Sequence, residues 1–146
     1  MQTLSIAPAT TRADIERGFE VVRELRTHLT RDAYVAQVER QCANEGYVLA
    51  LLSDGGLARA AAGYRFQETL AWGRILYVDD LVTRAADRGA GYGSALLDWV
   101  AGEARAAGCA QLHLDSGVQR FGAHRFYLHK GFDITSHHFA LVLAGK

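Results

Sequence analysis

The stretch YVDDLVTRAADRGAGYGSALL, Tyr77–Leu97, carries three features in a fixed order. Ile75 to Thr83 is rich in β-branched and large apolar residues, which predicts a mostly buried strand. Arg84 to Arg88 is a polar turn. Arg88-Gly89-Ala90-Gly91-Tyr92-Gly93 then opens a helix expected over Ser94 to Ala107. Glycine has no Cβ, so three alternating glycines let the backbone take open conformations and approach a ligand closely. The first N–H groups of a helix lack internal partners, and the helix dipole puts partial positive charge there. Strand, glycine loop and helix start together make a phosphate cradle, with Arg88 as a fixed positive charge at its lip.

Outward from this stretch the chain reads as one domain. At 146 residues, 49% of them hydrophobic, it is long enough to bury a sizeable core. Sixteen basic residues balance sixteen acidic ones, so the total charge leaves no footprint for nucleic acid or an anionic membrane. No apolar run approaches a membrane span, and the N-terminus lacks a signal-peptide pattern. Cys42 and Cys109 form no CxxC and read as reduced core thiols of a cytoplasmic protein.

Taken in order, Thr3 to Ala7 is a first strand ended by Pro8. Thr10 or Thr11 caps a helix whose buried face is Ile15, Phe19, Val22, Leu25 and Leu29. Thr30 caps a second helix, with Val35, Val38 and Cys42 on one face and a stop near Asn44 to Gly46. Tyr47 to Leu52 and Leu57 to Gln67 are strands joined by the turn Ser53-Asp54-Gly55-Gly56. After the long helix come a strand at Cys109 to Asp115, a short helix at Gln119 to Lys130, and a last strand or hairpin at Phe132 to Leu143. Hairpins in the first half and one strand–helix–strand crossover in the second predict an α+β fold with a mixed sheet.

A second motif stands downstream, Ala123-His124-Arg125-Phe126-Tyr127-Leu128-His129-Lys130-Gly131-Phe132. With the loop Arg88–Gly93 it closely resembles the GNAT superfamily of N-acetyltransferases. That family's pyrophosphate motif is (Arg/Gln)-x-x-Gly-x-(Gly/Ala), and its later pattern is Ala-x-x-Phe-Tyr-x-x-x-Gly-Phe. The Ala123–Leu128 run is also similar to aminoalkylphosphonate acetyltransferases. The resemblance covers nearly the whole chain. It implies a single domain over residues 1–146, with a central mixed, mostly antiparallel sheet of six to seven strands and about four flanking helices.

It also implies acetyl-CoA, or another acyl-CoA, as the donor. The pyrophosphate would lie on Arg88, Gly89, Ala90, Gly91, Tyr92, Gly93 and Ser94. The pantetheine arm would run beside the backbone of Leu81, Val82 and Thr83, where a bulge splays that strand from the Cys109–Asp115 strand. An amine attacks a thioester only when neutral, so a base must take its proton, directly or through water. Asp79 and Asp80 are neighbours on the strand and face opposite ways unless the bulge intervenes. Asp80 is preferred and Asp79 stays as the alternative; a water relay or an amine already deprotonated are others. An N–H near Leu81 or Val82, left unpaired by the bulge, suits the oxyanion. A phenol titrates near 10 and a thiol near 8.5, so Tyr127 stays protonated at neutral pH and can serve the leaving thiolate. The family uses a tyrosine at this position in that role.

Two positions depart from the family pattern. Ala90 stands where relatives often carry a second basic residue. Arg120 stands where many carry asparagine, so Arg120, Arg125 or Lys130 would meet CoA phosphates or an anionic acceptor. The histidines show no metal-ligand spacing, and no metal is expected. The expected acceptor is a primary amine of a small molecule, met directly in a ternary complex. A protein or peptide amine, or a non-catalytic acyl-CoA-binding module, is the alternative. The acceptor region implied by the family holds His28, Thr30, Arg31, Tyr34, Trp72 and His137 to Phe139. A homodimer is a further expectation from the family.

Overall fold

The computed structural model describes residues 3–145. By internal contacts the chain divides into two compact units, Met1–Leu114 and Asp115–Lys146. The first unit holds five strands in the order β1-β2-β3-β4-β5. They are β1 (Leu4–Pro8), β2 (Val48–Asp54), β3 (Leu57–Thr69), β4 (Gly73–Thr83) and β5 (Gln111–Leu114). The first three pairings are antiparallel and β4–β5 is parallel. The sheet is therefore mixed, as expected. Five strands, however, replace the expected six to seven among the described residues.

The missing strand is the last one. Residues 132–143 form no strand, and Ile134, Phe139, Leu141, Val142 and Leu143 are 70–92% exposed. Apolar residues along a segment favour burial; they do not supply the partner that makes a strand.

The hairpin between β2 and β3 turns at Gly55 and Gly56, both at positive φ, as a two-residue turn of the primed type requires. The first predicted helix breaks in two, α1 (Arg12–Arg17) and α2 (Phe19–Val22). Gly18 lies between them. A Cβ there would come within 2.8 Å of Tyr34 Oη and 2.9 Å of Leu51 Cδ2, so glycine is set by packing and ends the helix early. α3 (Arg31–Asn44) begins at Thr30, whose side chain accepts from Ala33 N. Cys42 on α3 is exposed, not in the core, and Cys109 is half-buried; both are free thiols.

Apolar side chains alternate along the strands and bury on both faces. Leu49, Leu51 and Ala61 pack with Ile15, Phe19, Val22, Val35 and Val38 of α1–α3. Ala50, Leu52, Ala62, Leu76 and Val78 pack with Leu96, Val100 and Ala104 of α4 (Tyr92–Ala106). Among the described residues no helix is long and apolar enough to cross a membrane. The second unit contains α5 (Phe121–His129), which ends before Gly131 at φ 96°.

Candidate active site

β4 changes character halfway along its length. Ile75 to Val78 pair with β3 on one side and with β5 on the other. At Val78 the β5 pairing stops. On the β3 side the register jumps, with Tyr64 opposite Val78 and Gly63 opposite Asp80. Asp79 is therefore the extra residue of a β-bulge. The core records the consequence. Val78 packs on the α4 side, but Val82, of the same parity, packs on the α1–α3 side. One inserted residue has turned the rest of β4 over. Asp80 thereby points to the α1–α3 side, and both aspartates line one cavity.

Arg65 donates to both oxygens of Asp79, at 2.9 and 2.8 Å. Asp80 is gripped at each oxygen by a different residue. Arg26 Nε donates to Oδ1 at 2.8 Å, and the Tyr47 hydroxyl donates to Oδ2 at 2.7 Å. Arg26 Nη2 also donates to the Asp79 carbonyl at 2.9 Å. Burial, reinforced by the Asp80 charge, pushes the Tyr47 phenol well above its usual range. A cavity of about 480 Å³ is bounded by Arg26, Arg65, Asp79 and Asp80. A second, of about 300 Å³, lies against Asp80, Tyr47, Arg26, His28 and Tyr34, with Gln37 and Gln41 of α3.

Past the bulge, Leu81, Val82 and Thr83 keep β3 as their partner and have none in β5. The chain then makes a single 3-10 turn, Ala85–Asp87, and enters the glycine loop. Asp87 ties this turn down. It accepts from Arg84 Nε at 2.6 Å and from Arg59 Nη1 at 3.0 Å. The Arg84 hydrogen bond holds the Asp87 carboxyl below its ordinary value, against the opposing effect of desolvation.

Arg88, Gly89, Ala90 and Gly91 are all exposed. Gly89 and Gly91 have φ of 88° and 85°, and no atom lies within 4 Å of the place a Cβ would occupy at either. The loop is open on its outer side. Gly91 is the N-cap of α4 and offers no side-chain cap to the first-turn donors. Gly93 stands close to the end of β4, where a Cβ would lie 3.2 Å from Thr83 Oγ1. Tyr92 donates its hydroxyl to Asp54 Oδ2 at 2.6 Å, fastening the loop to the end of β2.

The sequence-predicted residues of the first unit thus fall on one continuous piece of chain. Bulge, unpartnered strand edge, turn and open glycine loop follow in that order. The features fit a CoA-like ligand: open backbone donors for a pyrophosphate and a strand edge for an extended amide-bearing arm. Of the expected acceptor residues, His28 and Tyr34 line the smaller cavity. Thr30 is spent as a cap, and Arg31 bonds Glu16 O and lies over the Phe19 ring. Trp72 stacks on His113 at 4.2 Å.

Arg120, Tyr127 and Lys130 belong to the second unit. Arg120 precedes α5 as its N-cap, and Lys130 follows as its C-cap. The Tyr127 ring meets Phe126 and Phe132 edge-on, at 5.4 and 5.7 Å. Burial raises the Tyr127 phenol above its usual value, with Arg120 acting in the opposite direction. Of the histidines, His124 bonds the Gly117 carbonyl and His138 approaches Asp115.

Sequence reasoning missed Arg26, Tyr47, Gly63 and Arg65. One signal was available. Gly63 interrupts the strand run Ala60-Ala61-Ala62-Gly63-Tyr64, and a lone glycine inside a strand marks a bulge or a close approach.

The chain is 37% identical over 131 residues to the uncharacterized N-acetyltransferase YhdJ of Bacillus subtilis (strain 168), covering 89% of this chain and 92% of that one. It is 38% identical over 66 residues to an aminoalkylphosphonate N-acetyltransferase of Salmonella typhimurium, 45% of this chain and 43% of that one. An aminoglycoside N-acetyltransferase, solved with a CoA bisubstrate analogue, superposes with a TM-score of 0.83 at 14% identity. That match covers 98% of this chain and 99% of that one, and it shows a shared fold. The acetyltransferase (GNAT) family model matches residues 14–132. The chain belongs to the GNAT family of acetyltransferases.

Proposed function

We propose that this protein moves an acetyl group from acetyl-CoA to a primary amine of a small molecule, by direct attack in a ternary complex. One observation carries the reading: two cavities meet at a bulged strand, and the same strand runs on, edge unpartnered in β5, into an open glycine loop. A cavity of about 300 Å³ suits a small acceptor. The family match crosses Leu114, so we read residues 1–146 as one functional domain. Two free cysteines suit a reducing compartment such as the cytoplasm.

In this reading Arg88 and the backbone of Gly89–Ser94 hold the pyrophosphate, helped by Arg120 and Lys130. Leu81, Val82 and Thr83 hold the amide-bearing arm as an added strand would be held. Asp80 is the base. The amine nitrogen bonds to the carbonyl carbon, the carbon–sulfur bond breaks, and the nitrogen's proton passes to Asp80 directly or through water. An N–H of Leu81 or Val82 stabilises the oxyanion. Tyr127 gives its proton to the departing thiolate; a phenol raised by burial is protonated at neutral pH, as that role needs. Asp79 stays as the alternative base; Asp80 is preferred because it lines both cavities, whereas Asp79 lines only the larger.

Thiol release from acetyl-CoA tests this. Ethanolamine, glucosamine, spermidine, 2-aminoethylphosphonate and a lysine-bearing peptide would be offered to wild type and to Tyr127→Phe. Turnover on a small amine, lost in the variant while CoA still binds, is the expected result. Turnover on the peptide alone would move the acceptor to protein amines. CoA binding without turnover on any amine would make the protein a binding module.

A further inference from the structure

Tyr47 is a buried phenol for which the reaction above has no use. It immediately precedes β2, is 6% exposed, and reaches across β3 to Asp80. That reach depends on Gly63. A Cβ at Gly63 would fall 1.7 Å from Tyr47 Oη, 2.4 Å from Tyr47 Cζ and 2.7 Å from Asp80 Oδ2. No side chain larger than hydrogen fits between the phenol and the carboxylate. Gly63 also sits opposite Asp80 in the register, at the bulge itself. Strand, bulge and glycine are thus built around one hydrogen bond.

We propose that Tyr47 is a positioning residue that fixes the rotamer of Asp80 and so the direction from which that carboxylate meets the acceptor's amine. The inference rests on Asp80 being the base. An aspartate's terminal torsion is broad, so a single contact does not orient its carboxylate. Arg26 holds only Oδ1, and its own side chain is 42% exposed. Tyr47 supplies the second point, at Oδ2, from a buried and rigid ring. Each carboxylate oxygen has two lone pairs, so one donor on each leaves acceptor capacity for the substrate. Tyr47 and Asp80 line the same cavity of about 300 Å³, where an acceptor would enter. With its phenol pushed well above the usual range, Tyr47 remains a donor throughout the neutral region.

The test compares Tyr47→Phe and Asp80→Asn in the full chain. Steady-state kinetics would use acetyl-CoA and whichever of the five acceptors named above is turned over fastest. A hydrogen bond to a charged group, once lost, predicts a fall in kcat of about tenfold or more for Tyr47→Phe, with the acetyl-CoA KM within about twofold of wild type. Asp80→Asn falls further. If Asp80→Asn is inactive but Tyr47→Phe keeps the wild-type kcat, the inference about Tyr47 fails and the base assignment stands. If Asp80→Asn keeps the wild-type kcat, the base assignment fails and takes the inference with it. A crystal structure of Tyr47→Phe is the check independent of any acceptor. The Asp80 carboxylate should turn away from its wild-type position; an unchanged Asp80 on Arg26 alone would overturn the proposal.

Discussion

The bulge on β4 and the loop that follows it both depend on glycine, for opposite reasons. At the bulge, Gly63 has ordinary backbone angles and no space, because Tyr47 fills the volume a side chain would need. In the loop, Gly89 and Gly91 have open space and unusual angles, with φ near +85° and nothing nearby. The first glycine permits a contact between two side chains. The other two permit a backbone path. The proposed division of labour follows the same line: the bulge handles the amine and the loop handles the donor's phosphates.

The comparison can be broken from either side. The largest effect should come from Gly63→Ala. Tyr47 must leave Asp80, so kcat should fall steeply, and overpacking should cost about 1–3 kcal/mol of stability. Thermal unfolding should register this as a drop of several degrees, with acetyl-CoA affinity retained in the folded protein. Gly91→Ala should do less, and differently. A side chain at positive φ costs about 1–2 kcal/mol, with no clash to add. Acetyl-CoA binding should weaken while kcat at saturation holds, which calorimetry and kinetics together would show.

Arg88→Ala should be milder. An exposed charge contributes less than a buried one, so the acetyl-CoA KM should rise about fivefold, and raising the salt should shrink the difference. The smallest effect concerns pH. Asp87 has a folded carboxyl lowered from 3.8 by Arg84 and Arg59. A lowered carboxyl adds stability that is present above the unfolded value and lost as pH falls through the folded one. Asp87→Asn should therefore be less stable than wild type at neutral pH. The gap should close below about pH 4, where protonation removes the wild-type advantage. Urea titrations at several pH values would follow it.

The same contrast explains what the sequence disclosed. The loop was legible because all its parts are local. Strand, turn, three glycines and helix start lie within Ile75–Ala106, and local backbone rules suffice to read them. Thr30 as a cap and Gly55-Gly56 as a turn were legible on the same grounds. The setting of Asp80 was not. Its partners lie 54 and 33 residues away in the chain, and no short pattern links an arginine after α2 to a tyrosine before β2. The break at Gly18 was hidden for the same reason, since Tyr34 and Leu51 impose it from other elements. The last strand was over-read because apolar content suggests burial, and residues 132–143 carry the apolar residues without the pairing.

The most direct test sets Asp80→Asn beside Arg88→Ala and measures, for both, equilibrium binding of acetyl-CoA and turnover at saturating acetyl-CoA. The account predicts a crossed result: Asp80→Asn binds the donor as wild type does and turns over little, whereas Arg88→Ala binds weakly and turns over normally once saturated. If both variants lost the same quantity in the same proportion, bulge and loop would not have separate tasks, and the account would be wrong at its centre.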